Sequence, residues 1–423
     1  MTHQTGSRRV RSTQSAANAT TLLVRPQSVF FLLAALGLLL LAFRHAAGSW
    51  LDVSSSFSAQ ILHRGALVSL GFGCICVLDR RTASRWIWPQ LALLVWVLIC
   101  ALVKADSDYR LITVVMGVAA SIITIELSNN QHFARVIAFI PAITCMSALF
   151  SALSILHFEI QNGGLIERLG FRLHLELLQG GTVSPNYGLL VNPNEIAMPL
   201  ALSAVALFGQ DLRSKGMAIR SARLFLVAIS AAMVVLTQSR SMLIAFVFGV
   251  FAASRFGAWR WAWRPIALFA VGLLVVWAIL GVEISPLDLL QRFDLEDSDL
   301  MSFGDRTELW RTSFSRCLDE PIFGPSALSR GTEMQFSPHN AFLSSAELAG
   351  VFGIALLTLI YLQPLAVSIR ERSLSFGTLV ALVTASLAMD TLPKPVFWLM
   401  YACALVGLQR VRPNEQQRPM LVC

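Results

Sequence analysis

Long blocks of apolar residues dominate the chain, and short polar segments separate them. A run of about 17–25 apolar residues spans a bilayer as a helix, and twelve blocks approach that length, some of them short. They lie at residues 28–44, 62–78, 86–103, 111–127, 135–157, 194–209, 222–237, 241–255, 265–282, 341–363, 376–390 and 396–409. The pattern predicts an all-α membrane protein with about twelve transmembrane helices.

Composition and charge add a topology to this pattern. Of the 423 residues, 55% are hydrophobic and only 14% are charged, whereas about a quarter of the residues in a soluble protein are charged. Basic residues concentrate in alternate linkers, such as 79–85 and 213–223, and near both ends of the chain. Because basic residues near helix ends stay in the cytoplasm, the tails 1–27 and 410–423 are predicted to be cytoplasmic. The net charge of +8 is therefore a topology signal and does not indicate nucleic-acid binding.

Two long linkers fall on the extracytoplasmic side and divide the predicted helices into three groups. Helices 1–5 occupy 28–157, helices 6–9 occupy 194–282, and helices 10–12 occupy 339–409. The first linker, 158–193, contains GFRLHLELLQGG, whose strict alternation predicts a short strand. The second and larger linker is 283–338.

The larger linker contains GDRTELWRTSFSRCLDEPIFG at 304–324, which predicts an amphipathic helix that Pro321 stops. Its predicted apolar face consists of Leu309, Trp310, Phe314, Cys317 and Leu318.

Two arginines next to apolar blocks are candidates for anion binding. Arg240 lies in TQSRS, between two predicted spans with almost no linker. It either snorkels to the interface or forms a rigid cation that suits a phosphate. Arg306, at the start of the loop helix, is either solvated, paired with a neighbouring acid, or a second phosphate ligand.

The segment SPHNAFLSSAELAG, at 337–350, places three polar residues at the start of an apolar helix. His339 either points into the headgroups or accepts a proton from a hydroxyl, since histidine titrates near neutrality. Glu347 follows roughly 12 Å further along the helix, where it can orient another polar group. Asn192 and Asn194 lie at the start of the predicted span 194–209, and both are predicted to be capping residues.

These segments resemble the O-antigen ligase and polymerase family of bacterial polytopic membrane proteins. The resemblance covers roughly 185–365. It is carried in order by NPNEIAMPLAL, TQSRSMLIAF, FGDRTELW, EPIFG and SPHNAFLSSAELAGVFG. The last block is the most specific, because a His-Asn pair opens a helix that continues as Glu-x-x-Gly-x-x-Gly.

The resemblance implies a GT-C-like membrane glycosyltransferase of the bacterial inner membrane, with an extracytoplasmic active site. It implies transfer of a glycan from a polyprenyl pyrophosphate carrier to a lipid- or glycan-linked acceptor hydroxyl, among membrane lipids and without a metal or other cofactor. Inversion at the sugar C1 is expected. The expected catalytic residues are His339, Arg240 and Arg306, and the expected substrate-binding residues are Asn192, Asn194, Asn340, Glu347 and Arg311.

Three other functions remain open from the sequence. A polymerase of the same family would use the same cations and base with a different acceptor. A transporter or flippase would place charges near mid-membrane on broken helices and show paired halves, whereas here the charges cluster at one face. A structural scaffold leaves Arg240 and His339 unexplained.

Overall fold

The computed structural model describes residues 85–104, 109–129, 131–161, 193–211, 216–237, 239–256, 299–325 and 339–409, together with residues 267 and 270. Several predicted features lie outside the described residues. They are the spans at 28–44 and 62–78, most of the span at 265–282, the strand within 170–181, and the tails 1–27 and 410–423.

The described residues form helices joined by turns, with no strand among them, which confirms the all-α class. The helices are α1 (Ile87–Lys104), α2 (Tyr109–Leu127), α3 (Gln131–Gln161), α4 (Pro193–Asp211), α5 (Met217–Leu236), α6 (Arg240–Phe256), α7 (Asp299–Asp319), α8 (Ala341–Arg370), α9 (Ser375–Ala388) and α10 (Pro395–Gln409).

Four of these helices contain segments long and apolar enough to cross a membrane. The segments are Ile87–Lys104, Phe133–Leu153, Met217–Val235 and Ala341–Arg370. Shorter apolar segments lie in α2, α4, α9 and α10. All eight coincide with predicted blocks, so the chain is a multi-pass membrane protein. The total of twelve spans and the GT-C-like architecture stay predictions.

The centre of the bundle is built by close approach of helix backbones. Gly249 of α6 faces Gly377 and Ala381 of α9, and a Cβ added at Gly249 would lie 2.7 Å from the Cβ of Ala381. Small residues at helix contacts let backbones approach closely, which is how helices associate where lipid removes the hydrophobic driving force.

The contacts of α6 and α9 also fix their relative direction. Gly377, near the start of α9, lies against Ala253, near the end of α6, while Ala381 lies against Gly249. The two helices are therefore antiparallel, and the start of α6 lies beside the end of α9.

One end of the bundle, here called the basic end, consists of the starts of α3, α5 and α9 and the ends of α4, α6 and α10. Gly209 faces the Leu374 carbonyl, and the Phe256 and Phe376 rings lie 5.3 Å apart. Arginines at this end include Arg135, Arg220, Arg223, Arg255, Arg370 and Arg372. The opposite end, here called the site end, contains the starts of α4, α6 and α8 and the end of α9. The inside–outside orientation of the two ends stays a prediction.

The loop helix forms, and two residues of its predicted apolar face are exposed. α7 begins five residues before position 304 and ends before Pro321. Phe314 and Leu318 are 55% and 63% exposed, whereas Ser313 is 1% exposed. The reason is that α7 docks on α8 through a polar contact, and these two apolar side chains face away from the protein.

Candidate functional site

The site end gathers predicted residues from three helices. Ser239, directly before Arg240, donates its hydroxyl proton to Asn194 Oδ1 at 2.5 Å, which joins the starts of α4 and α6. Asn340 Nδ2 donates to the Leu387 carbonyl at 3.1 Å, which joins the start of α8 to the end of α9. Because the end of α9 lies beside the start of α6, Arg240 and the His339–Asn340 pair occupy the same end of the bundle.

The start of α8 fixes the backbone of this pair. Asn340 is the N-cap, and its Oδ1 accepts hydrogen bonds from the backbone N–H groups of Phe342 and Leu343 at 2.9 and 3.2 Å. Such a cap stabilises a helix by about 1 kcal/mol. His339 has φ +49°, a left-handed conformation that a non-glycine residue adopts rarely and under strain. The fold thus holds a half-buried histidine in a specific position just before α8.

Asn194 is not the cap that the sequence predicts. α4 begins at Pro193, so Asn194 lies in the first helical turn, where proline at the first position is favourable. Its side chain accepts the Ser239 hydroxyl instead. Asn192 lies outside the described residues.

α8 is two helical segments joined at a break. Ala349 has φ −145° and ψ 15°, and Gly350 has φ 62° and ψ −157°. The first half of α8, 341–348, therefore ends deep in the protein, and the second half, 351–370, continues towards the basic end. A break leaves backbone carbonyls and N–H groups without helical partners, and each needs a partner where lipid excludes water.

Side chains of α1 satisfy the carbonyls at this break. Lys104 Nζ donates to the carbonyl oxygens of Glu347 and Leu348 at 3.0 and 3.1 Å. Trp96 Nε1 donates to the Ala349 carbonyl at 2.8 Å. A cation at the carboxyl end of a helical segment also complements its dipole.

The turn after α7 satisfies the N–H side of the break. The Val351 N–H donates to the Pro321 carbonyl at 2.8 Å. Gly350 makes this approach possible, since a Cβ there would lie 2.1 Å from the Ile322 carbonyl oxygen. Gly324, with φ +76°, allows the same close approach from the side of the turn, because a Cβ at Gly324 would lie 2.3 Å from the Ala346 carbonyl oxygen. The two glycines lock the EPIFG turn against the break.

Glu347 is the side chain that links α8 to the loop helix. It is 7% exposed, and its Oε1 accepts a hydrogen bond from the buried Ser313 hydroxyl. The carboxylate thus contacts α7 within the protein, and its role in substrate binding stays a prediction.

The same contacts place position 306. Ser313 lies against Glu347 and Pro321 lies against Val351, so α7 and the first half of α8 run in the same direction. Position 306 is seven residues before Ser313, which is about 10 Å along the helix and on nearly the same side. This brings the Arg306 backbone to about the level of Asn340. The Arg306 side chain lies outside the described part, and Arg311 is exposed on α7.

Sequence reasoning missed Lys104, Trp96, Ser313 and the break itself. One signal was present: Gly350 and Gly353 interrupt an apolar helix, where glycine is unfavourable without a structural reason. Nothing in a single sequence pairs that break with a lysine some 240 residues earlier.

The helices and their polar end define an all-helical, multi-pass membrane protein with a candidate site at one end of the bundle. Residues 225–358 match the family model described as O-antigen ligase. The matched segment contains Arg240, Arg306, His339 and Glu347, whereas Asn194 and Lys104 lie before it. No curated protein matches the chain.

Proposed function

We propose that the chain transfers a glycan from a polyprenyl pyrophosphate carrier to an acceptor hydroxyl at the extracytoplasmic face of the inner membrane, as an O-antigen ligase. One observation carries the proposal. Arg240 and the His339–Asn340 pair lie at the same end of the bundle and within the segment that matches the O-antigen ligase family. Lipid- or glycan-linked acceptors reach that end from the aqueous side.

In the proposed reaction, the acceptor oxygen attacks the sugar C1 from the face opposite the pyrophosphate. The bond from C1 to the phosphate oxygen breaks, and the electron pair leaves with the carrier pyrophosphate. His339 accepts the proton of the acceptor hydroxyl. Products are the glycosylated acceptor, inverted at C1, and the carrier pyrophosphate, with no metal or cofactor required.

Arg240 and Arg306 bind the diphosphate in this scheme. Negative charge builds up on the leaving pyrophosphate, so fixed guanidinium groups stabilise the transition state more than the ground state. Loss of one such group costs about 2–4 kcal/mol of barrier, by comparison with other charge-stabilising donors. Asn194 and Ser239 hold the backbone before Arg240, which favours a rigid cation over a snorkelling one.

Glu347 acts as a positioning residue in this proposal. Its hydrogen bond from Ser313 fixes α7 on α8, and α7 carries Arg306 at the level of Asn340. Arg311, exposed on the same helix, and Asn192 remain candidates for contacts to the sugar.

The proposal is tested with the full chain in proteoliposomes, supplied with a polyprenyl-pyrophosphate glycan and a lipid acceptor. We expect one glycan block on the acceptor and transfer activity that survives EDTA. We expect His339→Ala to lower the transfer rate at least about a hundredfold. Arg240→Lys is expected to be severely impaired, because lysine lacks the bidentate fork. Arg255→Lys is the matched control, since Arg255 is exposed at the basic end.

The products also separate the alternatives. A ladder of glycan on the carrier indicates a polymerase of the same family. Wild-type turnover in His339→Ala removes His339 as the base, and full activity in Arg240→Lys indicates simple snorkelling.

The break in α8 favours a transporter as the second candidate, since broken helices form many transport sites. In such sites the ends of the half-helices face the substrate. Here Lys104, Trp96 and Pro321 bond the groups at the break, so protein occupies that position. Passage of the lipid-linked glycan across the bilayer, with no new glycosidic bond, would establish the transporter and exclude the transferase.

A further inference from the structure

A cavity of about 480 Å³ lies at the basic end, away from the candidate site. It is bordered by the starts of α3, α5 and α9 and by the ends of α4 and α10. Its volume falls in the range of about 300–1,000 Å³ typical of small-molecule sites. Most of its wall is apolar, and the residues that line it include the polar residues Gln210, Arg223, Ser375 and Thr378.

Arg223 gives the cavity a positive charge. Its guanidinium is half-buried, and Nη1 donates to the Gln210 backbone carbonyl over a long 3.5 Å. Among the residues that the structure describes, no carboxylate pairs with it. A guanidinium with unused donors in a partly apolar pocket is well suited to a phosphate.

Helix α5 adds to the positive field. It begins at Met217, and Gly216, which borders the cavity, provides no side-chain cap. The first N–H groups of a helix and the positive end of its dipole favour an anion. The start of α9 borders the cavity as well, but its first N–H groups are bonded to Ser373 and Leu374.

Gln210 favours a hydrogen-bond donor on the same ligand. Its Oε1 has no hydrogen-bond partner among the described residues and is closed off from the cavity, so a ligand donor reaches it only when the Gln210 amide turns. A buried amide oxygen without a donor is destabilising. A phosphate offers acceptors only, so the ligand that fits also carries a hydroxyl or ammonium donor next to its phosphate.

The mouth of the cavity indicates that the ligand has a hydrocarbon part. Ile219 lines the cavity and is 56% exposed, and Met217 and Phe225 on the same helix are exposed too. These side chains belong to an apolar segment long enough to span a membrane. The cavity therefore opens along a surface that lipid chains cover.

We propose that this cavity binds the headgroup of one membrane phospholipid, with its phosphate at Arg223 and its headgroup donor at Gln210 Oε1. The acyl chains lie outside the cavity along the exposed face of α5. Phosphatidylglycerol carries both a phosphate and hydroxyl donors, whereas phosphatidylcholine carries a phosphate and a trimethylammonium group that has no N–H to donate. The site therefore discriminates between the two. The proposal is independent of the proposed transferase activity.

Cys403 offers a direct readout, because it lines the cavity and is half-buried. The full chain is purified in detergent with phosphatidylglycerol or with phosphatidylcholine, and maleimide labelling of each cysteine is followed by mass spectrometry. We expect phosphatidylglycerol to slow labelling of Cys403 at least fivefold more than phosphatidylcholine does. Cys317, on α7 at the other end, is the internal control and keeps one rate in both lipids.

Three variants assign the effect to the cavity. Arg223→Gln is expected to abolish the protection, and Ala138→Leu, which fills the cavity and keeps the arginine, is expected to reduce it to the same degree. Gln210→Leu is expected to remove the difference between the two lipids. Arg255→Gln, which removes an exposed arginine at the same end, is the matched control and retains protection.

The outcomes that overturn the proposal are equally specific. Equal protection of Cys403 in wild type, Arg223→Gln and Ala138→Leu excludes a lipid in this cavity. Loss of that protection in Arg255→Gln shows that the lipid is attracted only by the overall positive charge of this end. Protection by sn-glycerol 3-phosphate as strong as that by phosphatidylglycerol identifies a soluble phosphate ester and overturns the lipid assignment.

Discussion

The contact between α6 and α9 and the break in α8 are two solutions to helix packing within one bundle. In the first, glycines at 249 and 377 bring two continuous helices together, and the contact consists of backbone and small side chains. In the second, glycines at 324 and 350 let the 320–324 turn pack closely against the break between two half-helices. Hydrogen bonds with Lys104, Trp96 and Pro321 satisfy backbone groups at the break.

The difference separates contacts that stabilise the bundle from contacts that position the candidate site. A continuous helix satisfies its own backbone groups and needs only a close fit to its neighbour. A broken helix depends on donors and acceptors from elsewhere, so its geometry can be coupled to another element, here the loop helix α7. Changes at the α6–α9 contact should therefore affect stability first, and changes at the break should affect transfer first.

Gly249→Val is expected to have the largest effect, and on folding. Its side chain would meet the Cβ of Ala381 at 2.7 Å and Val205 Cγ1 at 2.9 Å, and overpacking of this kind costs about 1–3 kcal/mol. Thermal unfolding in detergent, followed by size-exclusion chromatography, measures the loss. Val247→Ile, which adds a methylene at an exposed position of the same helix, should leave the unfolding temperature unchanged. An equally stable Gly249→Val protein would show that α6 and α9 are not packed this closely.

Gly350→Ala is expected to reduce transfer at least about tenfold, because Gly350 has φ 62° and ψ −157°, a conformation that costs a non-glycine residue about 1–3 kcal/mol. The added Cβ would also lie 2.1 Å from the Ile322 carbonyl oxygen. The turn at 320–324 must then move off the break. The transfer rate is measured per amount of folded protein. Val351→Ala, at an exposed neighbouring position, is the control. A folded, fully active Gly350→Ala protein would separate the break from catalysis.

Lys104→Met removes the donor to two carbonyls of the break, and a buried acceptor left unsatisfied costs about 1–3 kcal/mol. We expect faster amide hydrogen exchange in peptides from 341–351, measured by mass spectrometry, and a smaller loss of transfer than in Gly350→Ala. Lys104→Arg keeps a cationic donor and should restore most of the protection of these peptides from hydrogen exchange. Unchanged exchange in Lys104→Met would mean that Trp96 and the 320–324 turn hold the break without the lysine.

Most of the fold in the described part follows from the sequence, because membrane helices are specified locally. The predicted blocks at 111–127, 241–255 and 396–409 agree with α2, α6 and α10 to within two residues at each end. α5 begins five residues earlier than predicted, since the segment 217–221, which includes Arg220, extends the helix beyond its apolar block. Length and hydropathy carry this information, and both can be read from one segment at a time.

The site follows from the sequence less completely, because its geometry depends on contacts between distant segments. The sequence singles out Arg240, His339 and Glu347 by their cost in an apolar setting, but it leaves the partner of Glu347 open. One partner is Ser313, which is 1% exposed and lies on the side of α7 where apolar residues were expected. Periodicity favours an apolar face for α7, whereas the actual contact is polar and serves to couple two elements.

Ser313→Ala is expected to have the smallest effect, and it tests that coupling alone. It removes the hydroxyl that donates to Glu347, while the 320–324 turn still joins α7 to the break, so α7 should undock only part of the time. Cys317, half-buried on α7, should then react with maleimide a few times faster, and transfer should fall by a similar factor. Ser315→Ala removes an exposed hydroxyl from the outer side of the same helix and should change neither rate. If Cys317 reactivity rises while transfer is unchanged, then docking of α7 at Ser313 does not position Arg306, and the coupling between the loop helix and the break serves stability instead.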